Sequence, residues 1–272
     1  MKRDTTLQTS LSRHKRALQI IKRWRLMDDE FMKRCLKDNI PAVECILRII
    51  MDKPDLKVQS VHIEDTIPNL MGRGIRMDVH AVDRDGAEYD IEVQRADKGA
   101  GARRARFNSS LLDLNSLKQG SAYEELPSSY VIFITEHDVW KHGLARYHIE
   151  RTIRELQQPF DDGANIIYVN GAYHGTDSMG ALMNDFRSAD AGSMLLAPLK
   201  EVVNRYKNNP KEVAAMCAEL EKWRQEERAE GREEGKISVA KALLQKKMSI
   251  TDIVEVTGLP LKQIEQLAGA ER

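Results

Sequence analysis

The stretch that most constrains the fold is Met77–Gln94, MDVHAVDRDGAEYDIEVQ. Met77, Val79 and Ala81 alternate with polar residues, and so do Tyr89, Ile91 and Val93. Alternation at period two over short runs predicts two half-buried β-strands. Between them Arg84-Asp85-Gly86 reads as a three-residue hairpin loop, with glycine where left-handed backbone is needed. That loop sets Asp83 opposite Ala87, and the rest of the register follows. Met77 faces Val93, Val79 faces Ile91 and Ala81 faces Tyr89, so one side of the hairpin is wholly apolar. The other side sets Asp78 against Glu92, with Gln94 diagonal to them and Asp90 opposite His80. Carboxylates facing each other across a hairpin repel, and the pattern therefore demands a reason.

Two reasons are open. The polar side is solvated, which spacing alone favours because charged residues are mostly exposed. Alternatively, a divalent cation sits between Asp78 and Glu92. Cross-strand Cβ atoms lie roughly 4.5–5.5 Å apart, within reach of one ion for both carboxylates. Magnesium takes hard oxygen ligands and keeps several waters; the Val93 carbonyl completes the protein's share. Such an ion polarises a phosphoryl oxygen and acidifies a bound water.

A chain of 272 residues, 42% hydrophobic and 31% charged, is large enough for one sizeable domain with extensions. Cys35, Cys45 and Cys217 form no C-x-x-C, which argues for a reducing compartment, the cytoplasm, and against a zinc site. The histidines show no H-E-x-x-H spacing, and no apolar run is long enough to span a membrane. Net charge is zero, yet residues 1–25 carry Lys2, Arg3, Arg13, Lys15, Arg16, Lys22, Arg23 and Arg25 against Asp4 alone. This arm lacks the apolar core of a secretory signal. Ala17, Ile20, Ile21 and Trp24 share one helical face, and the arm reads either as solvated or as a contact for phosphates.

Further along, Asp29–Met51 has helical spacing that Pro41 restarts. Residues 56–64 read as a strand, Gly101–Leu117 as a helix opening on Arg103, Arg104 and Arg106, and 128–136 as a strand for a sheet centre. Residues 146–151 and 164–171 read as further strands, giving an α/β core. Residues 178–190, 195–207 and 210–228 read as helices. EERAEGREEGK is a charge-dense bridge that marks a boundary. Beyond it Ser249 caps one short helix, Gly258 ends it and Pro260 opens a second, in the outline of a helix-turn-helix. With only Lys262 as a base on that second helix, this tail suits self-association as well as DNA. The expected divisions are 1–25, a basic arm; 26–190, the core; 191–235, a helical extension with the bridge; and 236–272, the tail.

An acid on one strand followed by E-x-K on the next is the mark of PD-(D/E)XK nucleases. MDVHAVDRDGAEYDIEVQ resembles one branch of that superfamily, the recombination-promoting nucleases and transposases common in bacteria, in which Gln replaces the lysine as Gln94 does here. MDDEFMKRCLKDN is similar to the branch's opening helix and RARFNSSLLD to its helix after the motif. LPSSYVIFITEHDVW and FDDGANIIYVNGAY are similar to its later strands, and EGREEGK…MSITDIVEVTGLPLKQIEQL to its tail. The resemblance implies a restriction-endonuclease-like α/β fold, a mixed sheet flanked by helices. It also implies a magnesium-dependent (or manganese-dependent) DNA endonuclease of recombination or mobile elements, with DNA as partner.

In that reading Asp78 and Glu92 hold the metal with the Val93 carbonyl. Glu44, in the opening helical region, adds a carboxylate, and Gln94 orients water or phosphate without supplying charge. Helix N-termini bind phosphate and arginine grips it in two bonds, which points to Arg103, Arg104 and Arg106 as DNA contacts. An RNase-H-like transposase needs a separated acidic triad, which the close D…E-x-Q pair does not suit. The rival is a feebly active DNA-binding or assembly protein on the same fold. In either reading the C-terminal helices could join copies of the chain as a homo-oligomer.

Overall fold

The computed structural model describes residues 15–67, 74–95 and 99–270. Most of the segment IPNLMGRGI, which reads as a loop leading to the hairpin, and the arm before residue 15 lie outside the described residues. Two compact units emerge, one of Gln19–Val213 and one that joins the described part of 1–18 to 214–270.

A helix covering residues 15–23 (α1) leads into the larger unit at Gln19, with Lys15, Arg16, Lys22 and Arg23 exposed. Then come α2 (Asp29–Leu36), α3 (Ile40–Met51), β1 (Val58–Ile67), β2 (Ile75–Asp83) and β3 (Glu88–Gln94). These are followed by α4 (Ala102–Ser116), β4 (Ser129–Thr135), β5 (Arg146–Ile149), β6 (Thr152–Ile153), β7 (Gln158–Pro159), β8 (Ala164–Asn170), α5 (Ser178–Arg187) and α6 (Ala197–Asn208). One sheet of six strands runs β1-β2-β3-β4-β8-β5. Its first three strands are antiparallel, β3, β4 and β8 are parallel, and β5 returns antiparallel. This is the mixed sheet flanked by helices that the family resemblance implies.

Local chemistry explains the breaks. Pro41 does restart the helix: Asn39 caps α3 by accepting from the Ala42 amide at 3.3 Å, and the chain leaves α2 before it. Tyr-Val-Ile-Phe-Ile in β4 is flanked by parallel partners on both edges, and its apolar residues from Val131 to Ile134 are fully buried. The paired β6–β7 segment was not legible in the sequence; strands of two residues carry no period.

The hairpin register is the expected one, with Val79 opposite Ile91, His80 opposite Asp90 and Ala81 opposite Tyr89. Gly86 turns it at φ 86°. The expectation of half-buried strands needs correction. Val79, Ala81, Tyr89 and Ile91 are buried as an apolar face should be, but His80, Asp90 and Glu92 are buried too. Helices cover both sides of the sheet here, so the polar side is not a wet one.

In the smaller unit α7 (Pro210–Gln245) passes through the charge-dense bridge as helix. Glu, Arg, Ala and Lys are strong helix formers, and they outweigh Gly231 and Gly235 at about 1 kcal/mol each. Ser249 caps α8 (Ile250–Thr257) by accepting from Asp252 at 3.1 Å, and Gly258 ends it at φ 65°. α9 (Leu261–Ala270) then packs Ile264 with Ala240, Ile253 and Leu259.

Asp83 ties the hairpin turn together. Its carboxylate accepts from the amides of Asp85 (3.0 Å) and Ala87 (2.9 Å) and from the buried Tyr89 hydroxyl (2.7 Å). Asp83→Ala strands that hydroxyl and both amides, at about 2–4 kcal/mol. Thermal unfolding should shift down by roughly 4–16 °C, while Asp83→Asn, which keeps an acceptor for the amides, should fall less. Equal midpoints for Asp83→Ala and the native chain would refute this role.

Candidate active site

Sheet register assembles a row of acids. β1 pairs Ile63 with Val79 and Asp65 with Met77, which sets Glu64 between them, beside Asp78. The β2–β3 pairing ends at Val79–Ile91, and the residues just beyond that pair, Asp78 and Glu92, lie close enough for the charge of Asp78 to act on Glu92. Glu92 in turn lies beside Phe133 of β4, and Asp90 beside Val131. Glu64 holds φ 56°, a left-handed conformation inside a strand that few side chains adopt. Asp90 and Glu92 are wholly buried, and the Asp78 side chain is 13% exposed.

Two helices bring cations to this row. α2 buries Phe31, Met32, Cys35 and Leu36, and the same packing draws in Lys33, only 5% exposed. Its ammonium lies 3.0 Å from Asp78 Oδ1, 2.9 Å from Asp29 Oδ2 and 3.5 Å from Glu64 Oε1. α4 contributes Arg104, which donates through Nη2 to Glu92 Oε2 and through Nη1 to the Gly99 carbonyl at 3.0 Å. Its guanidinium also lies over the Phe133 ring, 5.7 Å from the centroid. One turn further along α4, Asn108 donates to Asp90 at 3.1 Å. Gln94 Nε2 donates to Glu92 Oε2 at 3.1 Å. A Cβ at Gly99 would collide with the Gln94 side-chain amide, so glycine there makes room for it.

Burial sets the electrostatics. Glu92 is pushed up from the ordinary carboxylate range by burial first, then by the charges of Asp90 and Asp78; Arg104 and Gln94 oppose the shift without cancelling it. Asp90 is raised by burial and by Asp78, against the Asn108 hydrogen bond. Asp78 is raised by burial and by Asp29, with Lys33 pulling the other way. For Lys33 burial works downward, but hydrogen bonds to Asp29 and Asp78 more than offset it and hold the ammonium charged. Among the described residues, Glu92 Oε1, Asp90 Oδ1 and Asp29 Oδ1 are buried oxygens without any hydrogen-bond donor. An unpaired buried acceptor is costly, and an acidic pocket with such oxygens fits a hard divalent cation. Among the described residues no three acids or histidines stand ready as a metal cage, because Lys33 and Arg104 take up the carboxylates instead.

Asp78, Glu92 and Gln94 thus come together, and Val93 is buried between the last two. Glu44 is not brought to them. Its carboxylate accepts from the Val58 amide at 3.0 Å and pairs with Arg48 (2.5 Å) and Lys57 (3.4 Å). Val58 lies opposite Asp83, at the turn end of the hairpin, so Glu44 anchors the start of β1 rather than the acid row. Arg103 and Arg106 are exposed at the start of α4, whereas Arg104 turns inward onto Glu92. Arg95 pairs with Asp28 (2.7 Å) and Glu136 (3.5 Å), away from the row. The sequence reading missed Lys33, Glu64 and the burial of Asp90. Asp29 and Lys33 look like an ordinary i, i+4 surface pair; the one signal was a lysine inside an apolar helical stripe.

Comparison with known proteins agrees with this architecture. The family model described as PD-(D/E)XK nuclease family transposase matches residues 45–172, which include the hairpin, α4, β4 and β8 but not α2. No curated protein and no solved structure matches the chain. Six mixed strands between helices, an acidic hairpin at their centre and this match together make residues 45–172 a PD-(D/E)XK nuclease family transposase domain on the restriction-endonuclease-like fold.

Proposed function

We propose that the chain is a metal-dependent DNA endonuclease that hydrolyses phosphodiester bonds in recombination or mobile-element biology. One observation carries the reading: among the described residues Glu92 keeps a buried oxygen without a donor, close to Asp78. Asp78 and Glu92, with the Val93 carbonyl, are the groups that would hold magnesium or manganese. Such an ion, when bound, polarises a phosphoryl oxygen and makes its water a better nucleophile.

The chain's own residues account for the remainder. Arg103 and Arg106, exposed at the N-terminus of α4, grip the DNA backbone. Gln94, fixed on Glu92 and fitted against Gly99, orients the attacking water. In the reaction the water oxygen bonds to phosphorus as the P–O3′ bond breaks. The electron pair leaves on O3′, which takes a proton from solvent, and the water gives one up to solvent. The products are a 5′-phosphate and a 3′-hydroxyl. The basic arm and the C-terminal helices serve DNA affinity and assembly, and the cysteines suit a cytoplasmic setting. A second reading, a feebly active DNA-binding or assembly protein, draws on Gln94, which brings no charge to the phosphate.

Plasmid nicking with magnesium or manganese, against an EDTA control, separates the two readings. The native chain should cut only with metal, and Asp78→Asn or Glu92→Gln should lower the rate by about 100-fold or more. Either variant cutting at the native rate would sink the metal site.

The raised carboxyls also make stability depend on pH. In EDTA the folded chain holds protons on Asp90 and Glu92 that the unfolded chain has already released above the ordinary carboxylate range, about pH 4. The stabilisation is therefore complete below that range and is lost as pH rises through the raised folded-state values. Glu92→Gln should unfold at a higher temperature than the native chain at pH 8 in EDTA, and the gap should close at pH 4. A variant less stable at pH 8 would contradict this electrostatic account.

A further inference from the structure

We propose that Lys33 of α2 supplies the positive charge that the E-x-Q motif lacks, and that it contacts the DNA phosphate at the acid row. The inference rests on the nuclease reading above and goes beyond it by naming a catalytic residue outside the matched domain.

Three observations carry it. Lys33 is almost fully buried, yet its ammonium reaches Asp78 Oδ1 at 3.0 Å, on the strand facing Glu92 and Gln94. Its other two partners, Asp29 and Glu64, have side chains 44% and 45% exposed. The ammonium therefore lies just below the surface, at the mouth of the row rather than in the core behind it. Glu64, moreover, takes a left-handed backbone conformation inside β1 while its carboxylate reaches Lys33. Such outliers gather at functional sites.

Charge balance favours the same conclusion. Asp29, Glu64, Asp78, Asp90 and Glu92 crowd this region against Lys33 and Arg104, with Arg76 at the edge 3.6 Å from Glu64. Arg104 is committed to Glu92 and to the Gly99 carbonyl. Gln94 offers only a neutral amide, and hydrogen bonds from a charged donor are about twice as strong as neutral ones. With Asp78 engaged by a bound cation, the Lys33 ammonium would have a donor to spare for the substrate phosphate. The hydrolysis is unchanged; Lys33 offsets charge on a non-bridging oxygen as the P–O3′ bond breaks.

The test uses the full chain and a short DNA duplex. Lys33→Gln keeps a hydrogen-bond donor for Asp78 but removes the charge. It should melt near the native temperature, cut about 100-fold or more slowly, and bind the duplex in calcium with a salt slope shallower by about 0.9. Adding Gln94→Lys to Lys33→Gln should recover both rate and slope. Gln94→Lys alone, which leaves α2 untouched but gives up the amide that orients the water, should bring no gain in rate, because the charge is already present. An unchanged salt slope in Lys33→Gln would mean that Lys33 only holds Asp78 in place, and would overturn the proposal. So would a gain of about 100-fold from Gln94→Lys alone, which would mean that the site had no cation. Should Asp78→Asn cut at the native rate, the metal reading fails, while the salt slope still decides the role of Lys33.

Discussion

Burial of the acid row is the constraint on which the rest of the structure depends. Asp90 and Glu92 lie in the middle of a sheet with no exposure at all. Buried carboxylates must be protonated, paired or bound to metal. Each neighbouring element answers that demand in part. α2 brings Lys33 to Asp78, α4 brings Arg104 to Glu92 and Asn108 to Asp90, and Gln94 folds back onto Glu92. Even so, among the described residues, one oxygen of Glu92 and one of Asp90 remain without a donor. The row is therefore under-neutralised.

The arrangement also gives the helices their places. A helix that covers a polar strand face must itself be polar there, and α4 turns Asn108 and Ser109 inward beside Ala105 and Leu112. α2 lies against a largely apolar surface and carries one buried cation within its apolar stripe. Gly99 lets the chain pass close over Gln94 on its way into α4, which sets Arg104 within reach of Glu92.

Much of this was legible in the sequence because it is local. The hairpin register from Val79–Ile91 to the turn follows from the period of Met77–Gln94 and from Gly86, and Asp78 and Glu92 come just beyond it. The buried character of β4, the restart at Pro41 and the caps at Ser249 and Gly258 are likewise local signals. What was not legible depends on contacts distant in the chain. The pairing of Lys33 with Asp78 spans 45 positions and looks, in the sequence, like a helix-surface pair with Asp29. Whether the polar side of the hairpin was wet or covered was decided by the docking of α2 and α4, which no strand period encodes. Glu44 shows the opposite error. A carboxylate in the helical region before the motif seemed available to the site, yet it anchors the first amide of β1.

The central claim is that a divalent cation belongs between Asp78 and Glu92. Calorimetric titration of manganese into the native chain at pH 7, repeated in buffers of different ionisation enthalpy, tests it most directly. The account predicts saturable binding at a single site with release of about one proton per ion, because carboxyls held protonated in the pocket must ionise to take the metal. Binding without proton release, or no binding heat at all, would contradict it.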